Sequence, residues 1–418
     1  MEVTVYPGKV AGSVRIPGSK SHTIRALVLA TLAEGRSRIG RPLYSEDTKA
    51  CLEACRAFGG VITESGGDWI VSGTGGKLNP PPDVIDVANS GTTLLILLGA
   101  ASLFPGWSVF TGDEQIRRRP VGPLVNALND LGAEAFTTRE NGCPPVVLRG
   151  PLSGGSTRIA CPTSQYLTSL LISCPLARGD SDIEVTELNE RPYVEMTLDW
   201  LDRAGIEYTR SGWRRFRIRG NQRYPAFERD IPGDYSSATF FLCAAAVTGS
   251  RLTLAGLDRN DCQGDREVLT ILERMGCSIE EEADGITITG KPLRGGSFDL
   301  NNIPDALPAL AVTACFAEGA TELRNVPQAR LKETDRIAVM REELSKMGAD
   351  IQERPDGLLI RNSALKGGKV AGHSDHRVVM ALAVAGLGAG GPVTIETAET
   401  AAVTFPEFFP TLQGIREA

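Results

Sequence analysis

The chain has 418 residues, which is long for one core, so two domains are expected. It is 42% hydrophobic and 23% charged, an ordinary globular composition, and its net charge of -7 argues against a general nucleic-acid surface. Positive charge for an anionic ligand must therefore be gathered locally.

From the first element onward the chain repeats itself. "VRIPGSKSHTIRALVLATLAEG" is a short extended segment, a small polar loop, and an apolar helix ending near Gly. Five echoes follow: "DVANSGTTLLILLGAASLFPG", "RIACPTSQYLTSLLISCPLARG", "RDIPGDYSSATFFLCAAAVTG", "FDLNNIPDALPALAVTACFAEG" and "KVAGHSDHRVVMALAVAGLGAG". They recur roughly every 70 residues, the mark of a repeated supersecondary unit. A second helix closes each repeat, as in "DTKACLEACRAFGG" and "YVEMTLDWLDRAG", with Gly supplying a left-handed end. The first helix is apolar on nearly every face and must be surrounded by protein. The second is amphipathic, with Val268, Leu269, Leu272 and Met275 on one face of 265–276. Six βαβ-like units place the chain in the α/β class, three per domain.

Each polar loop falls at the mouth of a buried helix, where free N–H groups and a partial positive charge suit phosphate or carboxylate. At the first mouth stand Lys20, Ser21 and Arg25, the last two at i and i+4. A serine N-cap with a snorkelling arginine is the bland account of them. Next comes "GDEQIRRRPVG", whose Arg117, Arg118 and Arg119 form either a solvated loop or an anion clamp. Asp305 opens the fifth buried helix as an N-cap or a base. In "ARLKETDRIAVM", Lys332 and Arg336 stand at i and i+4 of a helix start, with Glu333 beside them. Surface pairing and a proton-transfer group held near a clamp both fit that pattern. Asp375, His376 and Arg377 directly precede the last apolar helix, a placement hard to explain by packing.

Other chemistries find little support. Nine scattered cysteines without a CxxC pair, of which only Cys51 and Cys55 are close, read as reduced core residues of a cytoplasmic protein. His22, His373 and His376 are too few and too dispersed for a metal cage. No secretory signal is expected, and no membrane helix. Neither nucleotide-binding glycine loop nor a G-x-S-x-G elbow is present.

Taken in order, "PGSKSHTIRA", "NSGTT", "RRRPVGPLV", "TSQYLTSLL", "GDYSSATFFLCAAA", "IPDALPALAV", "LKETDRIAVM", "SDHRVVMALAVAG" and "TFPEFFPTL" resemble the enolpyruvyl transferases along essentially the whole chain. The resemblance implies a two-domain inverse α/β barrel of six βαβαββ repeats, its buried helices aimed at an interdomain cleft. It places one domain at 15–228 and the other at 1–14 plus 229–418. It implies a monomeric cytoplasmic enzyme acting on small anions, with no metal, cofactor, nucleic-acid or membrane partner. The implied reaction moves the enolpyruvyl group of phosphoenolpyruvate to the 5-hydroxyl of shikimate 3-phosphate through a tetrahedral intermediate, releasing phosphate. Carried over by motif, Lys20, Asn89, Gly91, Arg119, Gln165, Arg336 and Arg377 would hold phosphoenolpyruvate. Ser21, Arg25, Thr163, Ser164, Gln165, Tyr193, Asp305 and Lys332 would hold the acceptor. Asp305 would be the base, with Glu333 and Lys20 handling protons. Gly91 stands where a small residue makes room for glyphosate.

Three positions depart from the family pattern. Val403 replaces a lysine expected over phosphoenolpyruvate, and Leu95 falls where many members carry arginine. Glu190 replaces a serine that helps hold the acceptor phosphate, which makes an unphosphorylated acceptor the alternative. A noncatalytic anion binder would not need Asp305 and Glu333. The relatives acting on UDP-N-acetylglucosamine commonly carry a cysteine in the loop 112–120, which has none here.

Overall fold

A computed structural model describes residues 1–282 and 285–417. Two compact units are present, one of residues 18–231 and one of 1–17 with 232–418. The sequence reading put the breaks three residues earlier. Strand pairing accounts for the difference: Glu228–Asp230 runs parallel to Arg36–Gly40 and stays in the first unit, while Ser13–Arg15 runs parallel to Arg251–Ala255 in the second.

Twelve helices alternate along the described residues. In 18–231 they are α1 (Lys20–Leu32), α2 (Glu46–Ala57), α3 (Gly91–Ala101), α4 (Gly122–Asp130), α5 (Ser164–Ser173) and α6 (Arg191–Arg203). In the other unit they are α7 (Tyr235–Thr248), α8 (Glu267–Arg274), α9 (Leu307–Cys315), α10 (Arg336–Lys346), α11 (His376–Gly388) and α12 (Phe408–Ile415). Odd-numbered helices are buried almost end to end: every residue of α3 and α9 is inside, as is every residue of α1 from His22 on. Even-numbered helices bury one face, in α8 that of Val268, Leu269, Ile271 and Leu272. Buried Met275 lies just beyond α8, as its C-cap. Apolar residues all round a helix leave it no stable surface position, whereas a single stripe leaves the other face for water.

Five of the repeats add a small sheet in which one parallel pair is extended by an antiparallel hairpin. In the first, Glu228–Asp230, Arg36–Gly40, Asp68–Ser72 and Val61–Ser65 lie in that order. Five sheets have four strands; the sixth, at Gly368–Ala371, Val393–Glu396 and Val3–Val5, has three and takes the N-terminal strand as its edge. The glycines that end the outer helices carry the positive φ foreseen for them, as at Gly205 (+69°) and Gly348 (+91°). Among the described residues no helix is long and apolar enough to cross a membrane.

Candidate functional site

In residues 18–231 the mouths of α1, α3 and α5 carry the polar groups. Ser19, not Ser21, caps α1, accepting from the His22 N–H, so Ser21 lies inside the first turn. Lys20 Nζ pairs with Asp47 Oδ2 at 3.0 Å, both largely buried. Asp47 sits in the first turn of α2 behind its Ser45 cap, where a carboxylate reads as ordinary helix-end chemistry. That ordinary reading hid it in the sequence.

Arg25 is 1% exposed, and its donors are taken by oxygens of three helices. Nε donates to Thr197 Oγ1 at 2.9 Å, Nη1 to the Ser21 carbonyl at 2.9 Å, and Nη2 to the Tyr193 carbonyl at 3.0 Å and Thr168 Oγ1 at 3.3 Å. It ties α1, α5 and α6 together, and Tyr193 takes part through its backbone. His22 is likewise internal: its Nδ1 accepts from Trp200 Nε1 at 3.0 Å.

At the α3 mouth, Ser90 is the cap and Gly91 the first helical residue. The Arg119 guanidinium lies directly over Gly91, in the space a Cβ would occupy. Gln165 Nε2 donates to Thr92 Oγ1 at 3.1 Å and closes this mouth from α5. Asn89 Nδ2 reaches Asp113 Oδ2 at 2.6 Å and Gln115 Oε1 at 2.7 Å, which holds the arginine loop against the helix start. The three arginines divide: Arg117 bonds the Gly112 carbonyl, exposed Arg118 pairs with Glu114, and Arg119 alone turns to the helix.

Thr163 caps α5, and the mouth is filled by Glu190. One carboxylate oxygen, Oε2, accepts from Ser164 Oγ at 2.8 Å, Ser164 N at 3.1 Å and Thr163 Oγ1 at 3.2 Å. Leu95 is buried in α3, its carbonyl accepting from Ser169 Oγ at 2.6 Å, so its side chain serves packing. Val403 is also buried, at the end of the 3-10 turn Ala398–Val403.

In the other unit the mouths of α9, α10 and α11 make one ionic cluster. Arg336, 1% exposed, donates from Nη1 to Asp305 Oδ1 (2.7 Å), from Nη2 to Glu333 Oε2 (2.6 Å) and from Nε to Asp375 Oδ2 (2.8 Å). Burial pulls its pKa down, but Asp375, Glu333 and Asp305 together raise it well above the ordinary arginine value. Arg377, also 1% exposed, reaches Asp305 Oδ2 at 3.3 Å and lies 5.9 Å from the Phe240 ring centroid. Its Nε and Nη1 are buried without a hydrogen-bond partner among the described residues. Asp375 caps α11 and takes Thr334 Oγ1 at 3.0 Å.

Lys332 and Arg336 do not share the helix start expected of them. Asp335 caps α10, so the helix starts at Arg336, and Lys332 is extended after the turn Pro327–Leu331. A cap whose side chain accepts from the Ala338 N–H fixes the helix start there. His373 belongs to a second cluster. Glu343, fully buried in α10, accepts from Lys346 Nζ (2.7 Å) and the Ala371 N–H (3.0 Å), with His373 Nε2 at 2.6 Å. Burial raises the Glu343 pKa, but these hydrogen bonds outweigh it and hold the group below its ordinary value.

Cations and hydroxyls at the mouths in residues 18–231, and two guanidiniums among carboxylates in the other unit, suit chemistry on anions. The profile of a family described as EPSP synthase (3-phosphoshikimate 1-carboxyvinyltransferase) matches residues 5–412. A 3-phosphoshikimate 1-carboxyvinyltransferase of Acetivibrio thermocellus is 55% identical over 98% of this chain and 96% of its own. The chain belongs to this family. A Methanocella arvoryzae member is 46% identical over 99% of this chain and 98% of its own. Among solved structures, the EPSP synthase of Acinetobacter baumannii superposes with a TM-score of 0.84 at 30% identity, covering 99% of this chain and 98% of that one. The Streptomyces tendae enolpyruvyl transferase NikO shares the fold, with a TM-score of 0.80 at 19% identity over 99% and 96%.

Within the family framework, the structure joins Lys20 to Asp47, Gly91 to Arg119, Gln165 to Thr92, and Asp305 and Glu333 to Arg336. Asp47, Thr92 and the seating of Glu190 on Thr163 and Ser164 were not foreseen. Only Gln165 with Thr92 joins two repeats; the other two contacts join the first and second helices of one repeat.

Proposed function

We infer that the protein transfers the enolpyruvyl group of phosphoenolpyruvate to the 5-hydroxyl of shikimate 3-phosphate, a step of chorismate biosynthesis. Arg377 carries the reading: a buried guanidinium with Nε and Nη1 unpartnered costs free energy until an anion fills the place. It lies beside Asp305, which shares Arg336 with Glu333. One guanidinium thus orients both carboxylates wanted for proton transfer.

In this reading Lys20, Asn89, Gly91, Arg119, Gln165, Arg336 and Arg377 are the residues that the family resemblance assigns to phosphoenolpyruvate. Thr163, Ser164, Ser21, Tyr193 and Lys332 hold the acceptor, with Arg25 acting through the packing of α1, α5 and α6. Asp305 removes the 5-hydroxyl proton as the oxygen bonds to C2 of phosphoenolpyruvate, and Glu333 or Lys20 delivers a proton to C3. Loss of a C3 proton and of phosphate from the tetrahedral adduct restores the double bond. Seven of the nine cysteines are buried, which supports a reducing, cytoplasmic setting.

Phosphate release from phosphoenolpyruvate with shikimate 3-phosphate, and separately with shikimate, tests the activity. Release that requires the phosphorylated acceptor is expected. Absence of release with either acceptor would overturn the assignment.

A further inference from the structure

The α5 mouth offers three donors, Ser164 N, Ser164 Oγ and Thr163 Oγ1, and all three converge on one oxygen of Glu190. Such a set suits an exogenous phosphate or carboxylate. Here the chain supplies the anion itself. Glu190 is 1% exposed, so its carboxylate is seated inside. It stands at the N-cap of α6 but makes no side-chain cap to that helix, and its backbone is left-handed, at φ +57° and ψ +43°. That conformation disfavours a residue with a long side chain. Neither helix capping nor backbone preference accounts for glutamate at this position; the contact with α5 does.

We propose that Glu190 is the specificity-determining residue of the acceptor seat, an internal carboxylate that an incoming acceptor phosphate must displace. The proposal rests on reading the α5 mouth as the place of that phosphate. Two anions cannot share three donors at hydrogen-bond distance without repulsion, so the phosphate binds only when Glu190 swings out. An acceptor without phosphate leaves Glu190 in place. Glu190 therefore narrows the preference for shikimate 3-phosphate over shikimate, and removing it widens that preference.

Titration calorimetry of wild type, Glu190→Ser and Glu190→Gln with shikimate 3-phosphate and with shikimate tests this. Serine keeps a hydroxyl at the seat and removes the charge, and glutamine removes the charge at constant size. The expected result is tightening for shikimate 3-phosphate of about tenfold or more in Glu190→Ser, with the same direction in Glu190→Gln, and about threefold change or less for shikimate. In steady state the acceptor KM falls and the phosphoenolpyruvate KM stays, a split that a merely structural role would not produce. An unchanged or lower ratio of the two affinities in Glu190→Ser, with its melting temperature preserved, overturns the proposal. Turnover is a separate readout: a wild type and a Glu190→Ser variant that both bind shikimate 3-phosphate but release no phosphate would overturn the activity and leave the role of Glu190 to the affinity ratio.

Discussion

The helix mouths of the two units present binding groups at the ends of apolar helices with different materials. In residues 18–231 each charge is met separately, mostly by neutral groups: Glu190 by hydroxyls and a backbone N–H at α5, Arg119 over a glycine at α3, Arg25 by four uncharged oxygens, and Lys20 by Asp47. In the other unit two buried guanidiniums stand among Asp305, Glu333 and Asp375. A neutral seat loses affinity when one group is removed. A buried ionic cluster loses affinity and stability together, because the partners left behind are uncompensated charges.

The comparison is put under strain first by Asp305→Asn. Removing the base from the cluster should lower kcat by about 10²–10⁴-fold, with the circular dichroism of the fold retained. A kcat near wild type would take Asp305 out of the chemistry.

Next in size is the contrast between the two buried arginines. Arg336→Met should destabilise by about 3–5 kcal/mol in urea unfolding, since three carboxylates lose their common partner. Arg25→Met removes hydrogen bonds to neutral oxygens and should cost roughly 1–3 kcal/mol. Equal losses would erase the distinction between the units.

Smaller still is Gly91→Ala. The new methyl group meets the end of a flexible arginine rather than backbone, so Arg119 shifts and the fold tolerates the change. The phosphoenolpyruvate KM should rise about tenfold while the melting temperature moves little, given what a displaced charged hydrogen bond is worth. An unchanged KM would mean that Arg119 does not touch the donor.

The smallest effect sharpens the picture of the ionic unit through pH. Glu343 has its pKa held below the ordinary 4.5, so its contribution to stability is present above about that pH and is lost as pH falls through the lower, folded value. Melting temperatures measured from about pH 6 to about pH 3 should fall more steeply in wild type than in Glu343→Gln. Parallel curves would remove Glu343 from the acid response.

Much of this was legible in the amino-acid order. Apolar runs of the period and length of α7 or α11 admit only a buried helix, and Gly205 and Gly348 mark helix ends by conformation alone. The mouths at Thr163–Ser164 and Asp375–Arg377 could be found because polar residues recur at the same place in each repeat. In the arginine run only the family resemblance singled out Arg119, because Arg117, Arg118 and Arg119 are chemically alike and the packing of their loop is what separates them. Lys332 and Arg336 misled for a related reason: spacing of four suggests a shared face only if the helix has already begun, and the Asp335 cap delays it.

Local chemistry thus determined the repeats, the buried and half-buried helices, and the positions where anions can be met, because periodicity, caps and turns act over a few residues. Tertiary structure decided which charged groups are available and which are consumed. Arg25 is spent on Thr197, 172 residues away, Arg336 on Asp375, 39 away, and the α5 mouth on Glu190, 26 away. Such pairings depend on how separate helices pack, and no local preference of the chain specifies them.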